Sequence, residues 1–208
     1  MVKITDEAGY RLLEKYKIPV APYKAVKSEK DIEKMVLRMP VVLKVDSPDI
    51  IHKTDVGCVL FVRDRNELLD SYKNILINAE KQSKDINCII AQEFVFGSEL
   101  IVGAKQDETF NYAIIFGAGG ILTEVIKDIS YAVPPIDHKI ISSMLRQVKV
   151  WRKIKKRYCA DEKKLEKIIS NVAKLMEKNK KIHELDINPL FVNSSGFFAG
   201  DVRIIEKD

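Results

Sequence analysis

Hydrophobic and polar positions along the first half of the chain follow two different periods. Apolar residues recur at helical spacing after Thr5, Ser28 and Asn66, each of which can cap the start of a helix. Other stretches alternate every second residue, which is typical of strands with one buried face. The pattern predicts a helix over 5–17, an edge strand over 20–26, a helix over 28–39, strands over 41–45 and 59–62, a helix over 66–81 and a strand over 86–95.

The second half repeats this mixture and forms a second predicted lobe, entered through Phe96 and Gly97. Glycines in the segment 117–120 separate two of its strands, and Asp137 can cap a helix. The predicted elements are strands over 99–104, 112–116 and 121–126, helices over 137–148 and 161–178, a strand over 182–190, a turn at 194–196 and a strand over 200–204.

The composition is that of a soluble globular protein. Hydrophobic residues make up 46% and charged residues 31% of the 208 positions, enough for one sizeable core or one core divided into two lobes. The longest apolar runs are too short to span a membrane, and the N-terminal segment carries acidic residues where a secretory signal needs an apolar stretch. Three cysteines without a close pair favour reduced thiols, so we expect a cytoplasmic protein without membrane contact.

The formal net charge of +5 suggests anionic ligands without singling out nucleic acid. The most basic segment is 149–158, where Trp151 and Tyr158 stand among lysines and arginines. Such a segment could contact RNA, but it is more often a solvated face, and no recognition motif accompanies it. We therefore expect no nucleic-acid partner.

One histidine lies in the polar segment SPDIIHKTDVG, between the strands predicted over 41–45 and 59–62. Near pH 7 the imidazole of His52 is largely neutral, so a ring nitrogen can attack phosphorus without a separate base. Lys53 beside it could neutralise an accepted phosphoryl group. A solvated surface histidine is the ordinary alternative, so His52 is a candidate catalytic residue whose assignment depends on the other motifs.

Two further segments could bind a nucleotide. The connection between the lobes, over 92–99, offers backbone groups to a base and a carboxylate to ribose hydroxyls, although an ordinary hairpin explains it too. The glycines Gly117, Gly119 and Gly120 let backbone amides approach a phosphate closely, although a tight hairpin explains them equally well.

The strand predicted over 182–190 places three polar side chains on one face, since side chains alternate with a period of two. These are Glu184, Asp186 and Asn188, and Asp201 returns on the strand predicted to pair with them. Three such groups on one strand face are costly in a core without a partner. Hard oxygen ligands of this kind suit Mg²⁺, so we predict a magnesium site here.

Three motifs together carry a family resemblance that covers nearly the whole chain. The segments LKVDSPDIIHKTDVG, FGAGGILTEVIKDIS and ELDINPLFV resemble the beta subunit of ADP-forming acetyl-CoA synthetase, and succinyl-CoA synthetase beta subunits are more distant relatives. The resemblance implies an ATP-grasp fold of the α+β class (α/β layers). It implies one domain over 1–208 with two lobes, each a mostly antiparallel sheet with packed helices, and the nucleotide between them. The small lobe would cover about 20–95, and the large lobe about 96–208 with the helix of 1–19.

The resemblance also implies a reaction and a partner. In this family an alpha subunit makes an acyl phosphate, and the phosphoryl group passes through a histidine there to one on the beta subunit and then to ADP. His52 would be that second histidine, with Asp186 orienting it. Mg²⁺ would be the cofactor, ATP or ADP the substrate, and the assembly an α2β2 heterotetramer. The implied nucleotide ligands are Lys44 for phosphates, Gln92, Glu93 and Val95 for adenine and Glu99 for ribose, with Gly117, Gly119 and Gly120 as the phosphate loop and Asn188 and Asp201 as metal ligands.

Two positions depart from the family pattern. Cys58 stands where the family has a second glycine, and a need for positive φ there would strain the loop. The segment Lys156-Arg157-Tyr158 stands where the family carries glycine-arginine-glycine. A regulatory nucleotide-binding module without turnover, or an ATP-grasp ligase that works without phosphohistidine, therefore stay open as alternatives. The sequence selects neither the carboxylic acid nor ATP over GTP.

Overall fold

The structure is a computed structural model that describes residues 1–50, 53–120 and 127–207. His52 and the strand expected over 121–126 lie outside the described residues. The chain divides into two compact units: a small unit of residues 5–8 and 21–94, and a large unit of residues 1–4, 9–20 and 95–208. Each unit is built around one antiparallel sheet.

The small unit has a four-stranded sheet in the order β2–β5–β3–β4, so β2 lies at an edge as predicted. Two helices accompany it, and buried residues of α3 such as Tyr72 and Ile75 join its hydrophobic core with Leu43 and Val45. The elements are β2 (Tyr23–Val26), α2 (Glu29–Glu33), β3 (Val41–Asp46), β4 (Val59–Val62), a 3-10 turn (Arg65–Glu67), α3 (Leu68–Gln82) and β5 (Cys88–Glu93).

The large unit has a seven-stranded sheet in the order β1–β11–β9–β6–β7–β8, with β10 paired to β9. Helix α1 begins in the small unit and continues in the large one. The elements are β1 (Val2–Lys3), α1 (Asp6–Lys15), β6 (Ser98–Asp107), β7 (Asn111–Ala118), β8 (Ile129–Ala132), α4 (His138–Gln147), α5 (Lys149–Tyr158), α6 (Glu162–Lys178), β9 (Ile182–Asn193), β10 (Gly196–Ala199) and β11 (Arg203–Glu206).

Helix α2 is much shorter than predicted, because tertiary contacts hold the chain after it in another conformation. The guanidinium of Arg65 donates to the carbonyls of Met35 and Leu37 at 2.9 and 3.3 Å. The amide of Arg38 donates to the carboxylate of Glu93 at 2.8 Å. These bonds take backbone groups that a continued helix would use for its own ladder.

The helix predicted from Asn66 is capped differently. Asp64 caps the preceding 3-10 turn, and its carboxylate accepts the amide of Asn66 at 2.9 Å. The prediction that Asp137 caps a helix is confirmed, since its carboxylate accepts the amide of Ile140 at 2.8 Å. In these two cases an aspartate marks the start of the helical segment, and Asn66 does not.

Two predicted strand ends move in the structure. Strand β7 runs to Ala118, so Gly117 belongs to a strand and not to the loop after it. Asp201 lies between β10 and β11, ahead of the paired strand on which it was expected. Within the described ranges, no helix has both the length and the apolar character that crossing a membrane requires.

Candidate nucleotide and phosphoryl site

The polar face of β9 forms as the alternation predicts. Leu185 and Ile187 are buried in the core of the large unit, while Glu184, Asp186 and Asn188 are half-buried on the opposite face. Gly103 of β6 pairs with Asp186, and a side chain at Gly103 would come within 3.5 Å of the Asp186 carboxylate. The missing side chain leaves room beside that carboxylate, and a cavity of about 450 Å³ is lined there by Gly103, Glu184 and Asp186, among others.

The carboxyl group of Asp186 is costly to ionise where it stands. Burial raises the pKa of Asp186 to about 6, Glu184 and Asp201 add to the rise, and Arg203 opposes it. Arg203, the register partner of Asp186 on β11, is paired with the carboxylate of Glu184. Asp186 therefore faces the cavity with a charge that only part of its surroundings compensates.

Register places Asp201 beside Asn188. On one side Ala199 pairs with Leu190, and on the other Arg203 pairs with Asp186, with the same offset between the strands. Continuing that offset through the gap sets Asp201 opposite Asn188. A carboxylate and an amide carbonyl oxygen are the donors that Mg²⁺ prefers, usually with water and phosphate completing the shell. Among the described residues no cluster of three His, Cys, Asp or Glu side chains forms a metal site by itself.

Two glycines of the segment 117–120 are explained by close packing, and the third contacts Asn188. A Cβ at Gly117 would lie 2.6 Å from the Asp128 carbonyl, and one at Gly119 would lie 2.6 Å from the backbone of Leu100, so close packing explains both glycines. Gly120 has φ +68°, and its amide donates to the side-chain oxygen of Asn188 at 3.3 Å. The carboxylate of Glu99 also lies against Gly120.

The structure therefore brings Glu99, Gly120 and Asn188 into one neighbourhood of the large unit. Gly119 adjoins it, since its amide donates to the Glu99 carbonyl at 2.9 Å, and the charge of Asp201 acts on Asp186 of the same β9 face.

In the small unit, the predicted phosphate and base ligands touch each other. The ammonium of Lys44 donates to the side-chain oxygen of Gln92 at 2.7 Å. Lys44 pairs with Ile90 across the sheet and Val42 with Gln92, so the two side chains are diagonal neighbours on one face. Gln92 thereby holds the Lys44 ammonium in position. The family resemblance assigned Lys44 to phosphates and Gln92 to adenine, and it did not predict this contact.

Glu93 has a structural part in the connection that follows β5. Its carboxylate accepts the Arg38 amide at 2.8 Å, and its own amide donates to the Pro22 carbonyl at 2.8 Å. Val95, two residues on, is half-buried and lies outside the strands. The Glu93 side chain is thus used to fix the chain, which was not expected from the sequence.

The two stems that flank the histidine segment are held by polar contacts within the small unit. On one side the hydroxyl of Ser83 donates to the Asp49 carboxylate at 2.6 Å. On the other side the ammonium of Lys53 is paired with Asp6, a nearly fully buried carboxylate at the start of α1. Sequence reasoning missed this pair because Asp6 stands 47 positions earlier in the chain.

Asp46 fixes the start of α1 in turn. Its fully buried carboxylate accepts the amides of Asp6 and Glu7 at 2.6 and 3.1 Å and the side-chain amide of Asn87 at 2.9 Å. Asp46 therefore acts as a capping residue supplied by β3. An acidic residue that ends a hydrophobic strand was the only sequence signal for it.

Cys58 fits its position without strain. Its φ lies outside the left-handed region, where the positive value belongs to Gly57 at +67°. The amide of Cys58 donates to the Lys53 carbonyl at 2.7 Å, and its carbonyl accepts the Val45 amide at 3.0 Å. The side chain is buried in the small-unit core, so the glycine usual in the family is not required here.

The comparisons agree with this architecture. The ATP-grasp domain family matches residues 3–205 of the chain. The acetate–CoA ligase (ADP-forming) I subunit beta of Pyrococcus furiosus is 33% identical over 97% of this chain and 91% of its own length. The chain belongs to the ATP-grasp family of ADP-forming acetate–CoA ligases.

The other relatives of this family include longer proteins. The acetate–CoA ligase (ADP-forming) I of Archaeoglobus fulgidus is 36% identical over 98% of this chain, which spans only 31% of that ligase. The chain thus spans about a third of that longer relative and most of the Pyrococcus furiosus beta subunit.

Solved structures of the acetyl-coenzyme A synthetase 1 of Ca. Korarchaeum cryptofilum show the same fold. A structure with a phosphorylated phosphohistidine segment has a TM-score of 0.84 at 28% identity, covering 99% of this chain and 94% of that chain. Another contains Mg-AMPPCP, with the phosphohistidine segment pointing towards the nucleotide binding site, at a TM-score of 0.82 and 28% identity over 98% and 92%. These ligands belong to that synthetase.

Proposed function

We propose that this chain is the nucleotide-binding beta component of an ADP-forming acyl-CoA synthetase, which moves a phosphoryl group through phospho-His52 to ADP. The polar face of β9 carries the proposal, because Glu184, Asp186 and Asn188 are half-buried there, and such groups are costly without a metal and a phosphate. The relatives named above supply the reaction class.

The phosphoryl group is transferred twice. A ring nitrogen of His52 attacks the phosphorus delivered by the partner, a nitrogen–phosphorus bond forms, and the bond to the previous carrier breaks. A terminal phosphate oxygen of ADP then attacks the same phosphorus, the nitrogen–phosphorus bond breaks, ATP forms, and His52 leaves as the neutral imidazole. Asp186 accepts a hydrogen bond from the imidazole and orients it during these steps.

The proposed nucleotide ligands are those that the family resemblance implies. Lys44, held by Gln92, binds phosphate oxygens, and Gln92, Glu93 and Val95 line the base, with Glu93 acting through the backbone that it anchors. Glu99 accepts ribose hydroxyls. Gly117, Gly119 and Gly120 form the proposed phosphate loop, in which the amide of Gly119 donates to the Glu99 carbonyl and that of Gly120 to the Asn188 side chain.

Mg²⁺ fits the donors that the chain offers. Asn188 and Asp201 hold it, and Gly120 already orients the Asn188 side chain by donating its amide to the oxygen. The ion neutralises the charge of the nucleotide phosphates when it is bound.

We also propose an alpha partner that binds CoA and makes the acyl phosphate, in an α2β2 assembly. Single-chain relatives contain about three times the length matched here, and a relative of nearly the same length is named a beta subunit. The carboxylic acid is selected by that partner. The regulatory alternative loses its local support, because Cys58 lies in a relaxed conformation.

The test is incubation of the chain, alone and with its alpha partner, with γ-labelled ATP and Mg²⁺. Wild type is expected to acquire acid-labile, base-stable label, His52→Ala none, and the control His138→Ala the wild-type amount, since His138 is exposed on α4. No label with the partner present while nucleotide binds would overturn the phosphohistidine route. Label retained in His52→Ala would place the phosphoryl group elsewhere.

A further inference from the structure

A cavity of about 740 Å³ lies in the large unit at helices α4, α5 and α6, and the proposed reaction does not use its residues. Its volume falls in the range of small-molecule sites. Four of the eight lining residues are cations and one is an acid. The lining residues are Leu145, Arg146, Trp151, Arg152, Lys155, Lys156, Cys159 and Glu162.

The net positive charge of the sequence is matched by the cations of one short segment, which covers α5 and part of this cavity. Seven lysines and arginines, and no acids, occupy residues 146–157. Taking these seven from the formal net charge of +5 leaves −2 for the rest of the chain. The excess positive charge is therefore local, and it is not a general property of the surface.

The cations of the cavity repel one another along the helix. Arg152 and Lys156 stand four residues apart on α5, where like charges destabilise a helix. The guanidinium of Arg152 donates to the Arg146 carbonyl at 3.0 Å. In the ranges that the structure describes, no carboxylate comes within ion-pair distance of Arg152 or Lys156. A bound anion would relieve this repulsion.

The acid of the cavity is already neutralised. Glu162 accepts the ammonium of Lys155 at 2.9 Å and the indole N–H of Trp151 at 3.1 Å on the same oxygen. Hydrogen bonds from Lys155 and Trp151 lower the pKa of Glu162 in spite of its partial burial. An anion that enters the cavity therefore meets Arg152 and Lys156 without an acidic partner, and Lys155 and Arg146, whose charges it shares with Glu162.

The aromatic residues of α5 are not available as stacking platforms for nucleic-acid bases. Trp151 is 1% exposed and packs near Phe116 and Phe197, with ring centroids 6.4 and 6.1 Å away. Tyr158 is half-buried, and its hydroxyl lies 3.5 Å from that of Ser98. Proteins that hold single strands stack bases on exposed rings, which α5 does not offer. The concave site with its charged rim favours a compact anion instead.

We propose that this cavity is a binding site for a polyphosphate-bearing anion, separate from the nucleotide that the sheet residues bind. Guanidinium groups of Arg146 and Arg152 can form paired hydrogen bonds with phosphate oxygens, and Lys156 adds a point charge. Lys155 exchanges part of its contact with Glu162 for the ligand. The site does not depend on the proposed phosphoryl transfer.

Trp151 is the only tryptophan of the chain, so its fluorescence reports on this cavity alone. The experiment titrates the full chain with tripolyphosphate, which has no base and absorbs no excitation light, at 100 mM KCl. Drawing Lys155 away from Glu162 changes the charge next to the indole N–H. We expect a saturable fluorescence change in wild type.

Two matched variants each replace two cations of α5 with glutamine. Arg152→Gln/Lys156→Gln removes cations from the cavity, whereas Lys149→Gln/Lys153→Gln removes two from α5 that do not line it. We expect the dissociation constant to rise at least tenfold in the first variant and to stay within twofold of wild type in the second. Circular dichroism checks that both variants are folded.

Three results would overturn the proposal. No saturable change in wild type means that there is no such site. Equal weakening in both variants means that tripolyphosphate responds only to the general field of α5. Displacement of tripolyphosphate by a much tighter-binding single-stranded RNA oligonucleotide would make the surface a nucleic-acid site.

Discussion

Asp46 of the small unit and Asp186 of the large unit are both aspartates on central strands, and they differ in burial and in hydrogen bonding. The carboxylate of Asp46 is fully buried and accepts three N–H donors, from Asp6, Glu7 and Asn87. For Asp186, no hydrogen-bond donor occurs within residues 1–50, 53–120 and 127–207, and burial raises its pKa to about 6. A carboxylate with matched donors stabilises the fold. One without them raises the free energy of the folded state, and a bound substrate or cofactor can lower it again.

The largest expected effect is on activity. Asp186→Asn should lower ATP formation by at least about 100-fold, because the amide cannot orient a charged or protonated imidazole as a carboxylate does. Its free energy of unfolding at pH 7 should not fall, since a carboxylate that is costly to ionise has been removed. Steady-state kinetics with the alpha partner and urea unfolding measure the two. A destabilised but active variant would contradict the comparison.

The converse change is expected at Asp46. Asp46→Ala leaves two backbone amides and one side-chain amide without their acceptor and should lower the free energy of unfolding by about 3 kcal/mol. Asp46→Asn should cost less, because its amide oxygen still accepts. Urea unfolding curves of the three proteins measure this. Unchanged stability in Asp46→Ala would show that water replaces the carboxylate without cost.

A smaller effect is expected at the ion pair beside the histidine segment. Lys53→Met should destabilise the small unit by about 1–2 kcal/mol, because the buried carboxylate of Asp6 loses its ion pair with Lys53. Lys105→Met is a matched control, since the contact of Lys105 with Glu184 is 4.0 Å long and its side chain is 64% exposed. We expect it to change stability by less than about 0.5 kcal/mol. Equal losses in both variants would show that Asp6 contributes nothing particular.

The smallest expected effect concerns the Cys88 thiol, which lies beside Asp46. The Cys88 thiol lies 3.8 Å from the Asp46 carboxylate, and burial with that charge raises the pKa of Cys88 to about 12. The folded state therefore favours the protonated thiol, and this contribution to stability is lost as the pH rises from about 9 towards 12.

Iodoacetamide labelling at pH 8 measures this directly. Exposed Cys159 should react, whereas Cys58 and Cys88 should react only on unfolding, as peptide mass spectrometry would show. Fast labelling of Cys88 in the folded chain would contradict its placement.

The sequence predicted elements whose signals are local. Alternation located β3 and β9, and a single aspartate marked the start of α4. It failed at α2, because the carbonyls of Met35 and Leu37 bond to Arg65 across the fold. A contact between residues nearly 30 positions apart leaves no periodic pattern in the chain.

Site residues also differ in whether a local pattern could predict them. Strand periodicity alone gave the face of Asp186 and Asn188, whereas the capping of α1 by Asp46 and the pairing of Lys53 with Asp6 depend on tertiary approach. The family resemblance supplied the role of His52, which composition and spacing could only make a candidate. The packing of Gly117 and Gly119 against neighbouring backbone was equally invisible, since a glycine-rich turn and a phosphate loop share one composition.

The central claim is that His52 carries a phosphoryl group on its way to ADP. The direct measurement isolates the labelled chain, freed of nucleotide, and adds unlabelled ADP with Mg²⁺ in a single turnover. The account predicts that label leaves the protein and appears in ATP, with the peptide that contains His52 losing it at the same rate. Label that stays on the protein, or that leaves only as inorganic phosphate, would contradict it.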